Sequence, residues 1–382
     1  MSLAKESIAM PESLLASYAS HSNKSRGRRI AEPSAPTRLD FQRDRDRIVH
    51  CSAFRRLVYK TQVFINHEGD MFRTRLTHTL EVAQLGKSIA RVLRLNEDLV
   101  EAIALSHDLG HTPFGHAGQD ELNTCMQAFS GFEHNIQSLR VVDCLEQRYP
   151  QFDGLNLCFE TREGILKHCS PERAKHLGDV GVRFIEKKQP SMEAQLTNLA
   201  DEIAYNAHDI DDGIRSGLLN VEQMRAVPFF DFWCKQVLDE YPGLEGKRIL
   251  YETIRRMLSA QVYDVIEATQ KNLRKYGVEH ADDVHDAPVL VTFSPEMRQM
   301  SRELKRFLYE HLYRHPQVME NVDKGRQIVG DLFQVYTAKP QEMQGVDSFE
   351  ARPRLISDYI AGMTDRFAIS EHERLTGLRL FP

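Results

Sequence analysis

From Thr77 onward, apolar side chains recur at three- and four-residue intervals: Leu80, Val82, Ala83, Leu85, Ile89, Val92, Leu93 and Leu95. This spacing lays an apolar stripe along one side of a helix, so the segment is predicted to be one long helix. Asn96 is an expected N-cap with Glu97 and Asp98 in the first turn, and Leu99, Val100, Ile103, Ala104 and Leu105 carry a second helix to near Gly110. Gly110, Pro113 and Gly115 then enforce a loop. Further helices are expected over 117–128, 132–148, 192–214, 247–276, 294–313, 316–337 and 347–365. Gly277 stops one of them, and Ser294-Pro295 opens another as N-cap and N1 proline. Strand patterns are few: 62–66 and 71–75 flank Glu68-Gly69-Asp70 as a short hairpin, and 289–293 reads as a solitary strand. The expected fold is all-α, with additional C-terminal helices and at most a short β-hairpin. Three regions are expected: a basic N-terminal arm with the first helices (1–60), a core (61–217) and a C-terminal helical part packed on it (218–382). The acidic stretch 280–286 is a candidate boundary.

Composition supports an ordinary globular chain. At 382 residues, 41% hydrophobic and 27% charged, it is long enough to bury a sizeable core without disulfides. Apolar runs fall far short of the ~20 residues that span a bilayer, and the N-terminus carries no signal-peptide block, so a cytoplasmic protein without a membrane partner is expected. The six cysteines lie at least eleven residues apart, which excludes CxxC zinc knuckles and reads as reduced, mostly buried thiols. Charge is uneven. Residues 1–60 hold twelve Lys/Arg against six Asp/Glu, a balance of +6, whereas the whole chain is at −6. Lys24, Arg26, Arg28 and Arg29 therefore read as a flexible arm that could meet phosphates or nucleic acid, with a solvated tail or a segment clipped onto a neighbouring subunit as the plainer reading.

The candidate chemistry concentrates in Ser106-His107-Asp108-Leu109-Gly110-His111-Thr112-Pro113-Phe114-Gly115-His116-Ala117-Gly118, which carries three histidines in ten residues. His107 and Asp108, adjacent at a helix end, are only ~100° apart about the axis and can converge on one cation. His78 and Asp201, on other predicted helices, complete a His2Asp2 set. Two imidazoles and two carboxylates suit a divalent ion such as Mg, Mn, Fe, Co, Ni or Zn, with positions left for water and a substrate oxygen. Two look-alikes are declined. Gly86-Lys87-Ser88 lacks the P-loop's first glycine, since Glu81 stands there, and it lies inside a helix. His208-Asp209 repeats the His-Asp dipeptide but sits two turns beyond Asp201.

The H…HD…D order resembles the HD-domain phosphohydrolases. Five blocks resemble their deoxyguanosine triphosphate triphosphohydrolase branch: Phe54 to Phe64, Arg73 to Ala83, His107 to Gly118, Asn198 to Tyr205 and Asp358 to Asp365. The resemblance implies an HD-domain helical core and one divalent metal per site, held by His78, His107, Asp108 and Asp201. It places His111, His116 and His134 around the substrate phosphates, with His116 as the acid/base group. Arg75 then binds phosphate, Gln62 contacts sugar or base, and Tyr205 and Asp209 bind the sugar. Where the family pattern has a carboxylate orienting the acid/base histidine, this chain has Gln119. The implied reaction converts a deoxynucleoside triphosphate to deoxynucleoside and inorganic triphosphate by attack of a metal-activated water on the α-phosphorus. Homo-oligomerisation is implied as well. The alternatives are an HD phosphohydrolase of nucleoside monophosphates or cyclic nucleotides, and a weakly catalytic nucleotide or nucleic-acid sensor.

Overall fold

The computed structural model describes residues 10–62, 64, 72–343 and 352–381. Among them β structure is limited to isolated bridges, and helices make the architecture, as expected. The longer helices, in chain order, are α1 (Asp40–His50), α2 (Arg75–Leu93), α3 (Glu97–Ser106), α4 (Gly115–Cys125), α5 (His134–Arg140), α6 (Phe159–Ile165), α7 (Met192–Arg215), α8 (Pro228–Glu240), α9 (Lys247–Tyr276), α10 (Pro295–Leu308), α11 (Pro316–Ala338), α12 (Pro353–Ala361) and α13 (Asp365–Thr376). None of the described helices is long and apolar enough to cross a membrane.

Small residues bring the central helices together. Ala83 of α2, Ala102 and Ala104 of α3, and Ala200 and Ala204 of α7 share one buried cluster, and α2 packs extensively on both α3 and α7. Gly86, part of the declined P-loop look-alike, lies inside α2 where an added Cβ would come within 2.8 Å of Val100, so it serves this close packing. Ile89 and Leu93 of α2, Leu196 and Ile203 of α7, and Val265 and Leu273 of α9 form a second shared cluster. A third joins α4 to α11, α12 and α13.

Several expectations need correction. Helix α2 opens at Arg75, with Thr74 accepting from the Thr77 N–H, so His78 lies a full turn inside it and shares a face with Arg75. The helix expected over 132–148 opens at His134 under a Glu133 cap and ends in a π turn over Val141–Leu145. The expected 347–365 helix is two helices: Pro353 opens α12, and Thr364 caps a new helix at Asp365, while 344–351 lie outside the described residues. The solitary strand at 289–293 is absent because side chains satisfy its backbone. Gln195 Oε1 accepts from the Leu290 and Val291 N–H groups, and Asn272 donates to the Leu290 carbonyl. Most of the expected hairpin lies outside the described residues, with only a bridge between Thr61 and Thr74 at its base. The acidic stretch contains a short helix, Ala281–Asp286.

The N-terminal arm is folded against its own chain. Arg28 is buried between Asp44 and Asp40, Arg29 pairs with Asp143, and the Arg26 guanidinium stacks on Phe159 at 3.5 Å. The carboxylates of α1 and the 143–160 region draw these cations inward, which replaces the expected flexible arm. All six cysteines are free; Cys51, Cys158 and Cys234 are buried, Cys125 and Cys169 partly so, and Cys144 is exposed.

Candidate metal centre and its surroundings

Two helices and the turn after a third converge on the centre. Helix α2 supplies His78, the turn after α3 supplies His107 and Asp108, and α7 supplies Asp201. Ligand atoms of His78, His107 and Asp108 lie within 4.8 Å of one another, and all three residues are buried. Asp201 Oδ1 stands 2.8 Å from His78 Nε2 and 3.6 Å from His107 Nε2. The four residues expected to hold a metal are thus brought together.

The donor chemistry fits a divalent cation. His107 Nδ1 is 2.7 Å from the Ala104 carbonyl, which can only accept, so Nδ1 carries the proton and Nε2 presents its lone pair. That Nε2 is buried without a hydrogen-bond partner, facing Asp108 Oδ1 at 3.3 Å. An imidazole lone pair and carboxylates crowded together in a buried site call for a cation between them. Burial alone would favour the neutral Asp108 carboxyl, but His107 and then Arg75 hold it well below the ordinary carboxylate range. Asp201 is likewise held low: burial opposes its charge, and Lys167, 2.6 Å from Oδ2, followed by His107 overcomes it.

Arg75, expected to meet substrate phosphate, donates from one guanidinium nitrogen to Asp108 Oδ2 at 2.6 Å, leaving its buried Nε unpartnered. The loop after Asp108 turns sharply, which two glycines permit. A Cβ on Gly110 would fall 2.1 Å from the Ser138 nitrogen, and one on Gly118 2.1 Å from the Pro113 carbonyl oxygen. Phe114 and Gly115 both adopt left-handed backbone, and the Phe114 N–H donates to Asp365 at the start of α13. Asp365 also accepts from Thr61, and the Lys60 ammonium group donates to the carbonyls of His111 and Ala361. The C-terminal helices therefore hold the histidine loop from behind.

His111, His116 and His134 form a second cluster beside the first, joined to it through Asp108. Ligand atoms of Asp108, His111 and His134 lie within 4.8 Å of one another, the His111 and His134 rings stack at 4.5 Å, and His116 lies 5.4 Å from His111. Burial, and then the Arg75 charge, pushes the His111 imidazole well below its ordinary value. Burial also brings His134 down to about 3, although Asp108 opposes the shift. Gln119 stands where the family pattern has the carboxylate orienting His116. Its carboxamide oxygen instead accepts from the His134 backbone N–H and lies 2.5 Å from His134 Nδ1.

Further along α7, Tyr205 and buried Asp209 follow Asp201 on one face. Asp209 accepts from the Tyr313 hydroxyl through Oδ2, while its buried Oδ1 has no partner. Burial pushes its carboxyl well above the ordinary range. Gln62 is buried with its Oε1 unpartnered, and its backbone carbonyl adjoins Gly115. Sequence reasoning missed two participants, Lys167 and Tyr313. Lys167 lies just beyond α6, in a region without clear periodicity. Tyr313 closes the π turn after α10, where its sequence position resembles any helix end.

Comparison with known proteins shows which family the chain belongs to. The model of the HD domain matches residues 75–206, which carry the whole His2Asp2 set, and that of the phosphohydrolase-associated domain matches residues 291–374. The chain is an HD-domain phosphohydrolase, a class whose domains bind divalent metals. It is 58% identical over 368 residues to a deoxyguanosinetriphosphate triphosphohydrolase-like protein of Thiobacillus denitrificans, covering 95% of this chain and 98% of the relative. Proteins of the same description in Ralstonia nicotianae and Nitrosomonas europaea are 59% and 54% identical, covering 95% and 94% of this chain and 95% and 97% of the relatives. The chain belongs to this deoxyguanosinetriphosphate triphosphohydrolase-like family.

Proposed function

We propose that the protein hydrolyses deoxynucleoside triphosphates to deoxynucleoside and inorganic triphosphate by attack of water on the α-phosphorus. The observation that carries this reading is the sharing of Asp108 between two clusters, a His2Asp2 set and a run of three histidines, which together bring the donor atoms for a divalent ion, the Arg75 guanidinium and hydrogen-bonding imidazoles to one site that suits a polyphosphate. The relatives' own names, deoxyguanosinetriphosphate triphosphohydrolase-like protein, point to a triphosphate of the same class.

His78, His107, Asp108 and Asp201 would hold the divalent ion. When bound, that ion supplies Lewis-acid activation of the attacking water and neutralises charge on the α-phosphate. The remaining work falls to the chain. Arg75 holds Asp108 in place and offers its remaining donors to phosphate. His111 and His134 line the phosphates, and His116, the most exposed of the three, delivers a proton to the departing 5′ oxygen as the bond from phosphorus to that oxygen breaks. Asp209, with a free buried Oδ1, accepts from the sugar 3′-hydroxyl. Tyr205 packs beneath the deoxyribose and disfavours a 2′-hydroxyl by crowding, and Gln62 contacts sugar or base. In this reading 61–217 is the catalytic core and 218–382 supports it, with α10 and its π turn bringing Tyr313 to Asp209.

Chromatographic product analysis with each deoxynucleoside triphosphate, singly and mixed, in Mg, Mn or Co tests the proposal. Deoxynucleoside and tripolyphosphate are expected, with the rate falling at least ~10³-fold in a His107→Ala/Asp108→Ala control. Monophosphate with pyrophosphate, or orthophosphate alone, would contradict it.

A further inference from the structure

His208 lies three residues beyond Tyr205 and two turns beyond Asp201 on α7, and it is buried beside His78. Its Nδ1 stands 3.1 Å from His78 Nδ1, and the two rings meet edge to face at 5.2 Å. Its Nε2 contacts the carboxylate of Glu81, which lies on α2 one turn after His78. Glu81 is also 3.4 Å from the Arg73 guanidinium, and its side chain reaches solvent.

Proton accounting leaves one arrangement for neutral imidazoles. The ionised Glu81 carboxylate accepts, so His208 Nε2 carries a proton and donates. The Nδ1 of neutral His208 is then a lone pair, which accepts from a proton on His78 Nδ1. His78 Nε2 is left as a lone pair directed at Asp201 Oδ1, 2.8 Å away. Two acceptors at that separation need a proton or a cation beside them.

We propose that Glu81 and His208 are positioning residues: through a Glu81–His208–His78 hydrogen-bond relay they fix the tautomer and ring plane in which His78 offers Nε2 to a divalent cation. The inference rests on the His78, His107, Asp108 and Asp201 metal set. The same task is done for His107 by the Ala104 carbonyl, a backbone group that no side-chain substitution removes. For His78 it is done by side chains ending at the surface, so metal affinity at this site is adjustable from Glu81. This gives the second His-Asp dipeptide a role, with His208 behind a ligand and Asp209 facing the sugar.

The test is a titration of the chelator-treated full chain with Co²⁺, read by calorimetry and by the visible absorption of the bound ion. His208→Leu removes the acceptor and should weaken Co²⁺ binding by about 10–100-fold and alter the absorption band. His208→Gln can accept from His78 Nδ1 through Oε1 and donate to Glu81 through Nε2, so it should restore affinity to within about threefold of the parent chain. Glu81→Leu, at a solvent-reaching position that spares the fold, should weaken binding by about 3–10-fold. Parent-like affinity in both His208→Leu and Glu81→Leu, or equal weakening in His208→Leu and His208→Gln, would overturn the relay. Failure of the parent chain to bind Co²⁺ would instead remove the metal set itself, and the relay with it. Neither result depends on which phosphate ester is hydrolysed.

Discussion

The two groups of histidines beside Asp108 are held in different ways. On the metal side, both imidazoles have Nδ1 committed, His107 to the Ala104 carbonyl and His78 to His208, so each presents Nε2 to the carboxylates. On the other side, His111 Nδ1 is buried without a partner, the His116 side chain makes no hydrogen bond among the described residues, and His134 alone is oriented, by the neutral amide of Gln119. Ligands must be fixed before the ion arrives, because affinity depends on preformed geometry. Groups that meet a substrate and pass protons must be able to change partner during turnover. One stretch, from His107 to His116, serves both demands: His107 at its start is tied into α3, whereas His116, at the start of α4, makes no side-chain hydrogen bond among the described residues.

This contrast can be broken by substitution. The largest effect is expected for His107→Ala, which should abolish tight divalent-metal binding and lower kcat by ~10³-fold or more; a variant that still bound metal like the parent would erase the distinction. For His116→Ala a loss of ~10²–10⁴-fold in kcat is expected with metal affinity unchanged, since in the proposed reaction the residue acts on the leaving group and not on the ion. Parallel kinetics and calorimetry of the two variants check this, and a fall in metal affinity on the His116 side would merge the groups. The smallest effect concerns the anchor behind the loop. Burial, followed by the Arg56 charge, brings the Lys60 amine down to about 7. Its unfolded value is near 10.4, so between these limits the unfolded chain binds the extra proton. Stability should therefore rise with pH above about 7, while below it the full penalty of the buried charge is present. Thermal melts should show the parent gaining about 1–3 kcal/mol on Lys60→Met between pH 7 and 9; a pH-independent difference would show that Lys60 does not titrate there.

Much of this organisation was legible in the chain. Apolar periodicity found α2, α3, α7 and α9 because each has a stripe facing a neighbour, and the Asn96 and Ser294 caps were readable because capping depends on a few adjacent residues. The 289–293 strand misled because periodicity does not reveal which groups satisfy the backbone; here distant Gln195 and Asn272 do so. That His78, His107, Asp108 and Asp201 would converge was readable from residue type and order. The groups that brace the site were not, since Lys167 beside Asp201, His208 beside His78 and Tyr313 beside Asp209 owe their places to tertiary packing. Gln119 stands in the expected sequence position, yet its amide turns to His134, a choice set by where α5 begins. Arg28 and Arg29 read as a free basic arm because their carboxylate partners lie up to 114 residues away.

The central claim is that water attacks the α-phosphorus and expels the 5′ oxygen of the sugar. Turnover of a deoxynucleoside triphosphate in ¹⁸O-labelled water, followed by mass spectrometry of both products, tests it directly. The account predicts one ¹⁸O in the tripolyphosphate and none in the deoxynucleoside. Label in the deoxynucleoside, or in a released monophosphate or orthophosphate, would contradict it.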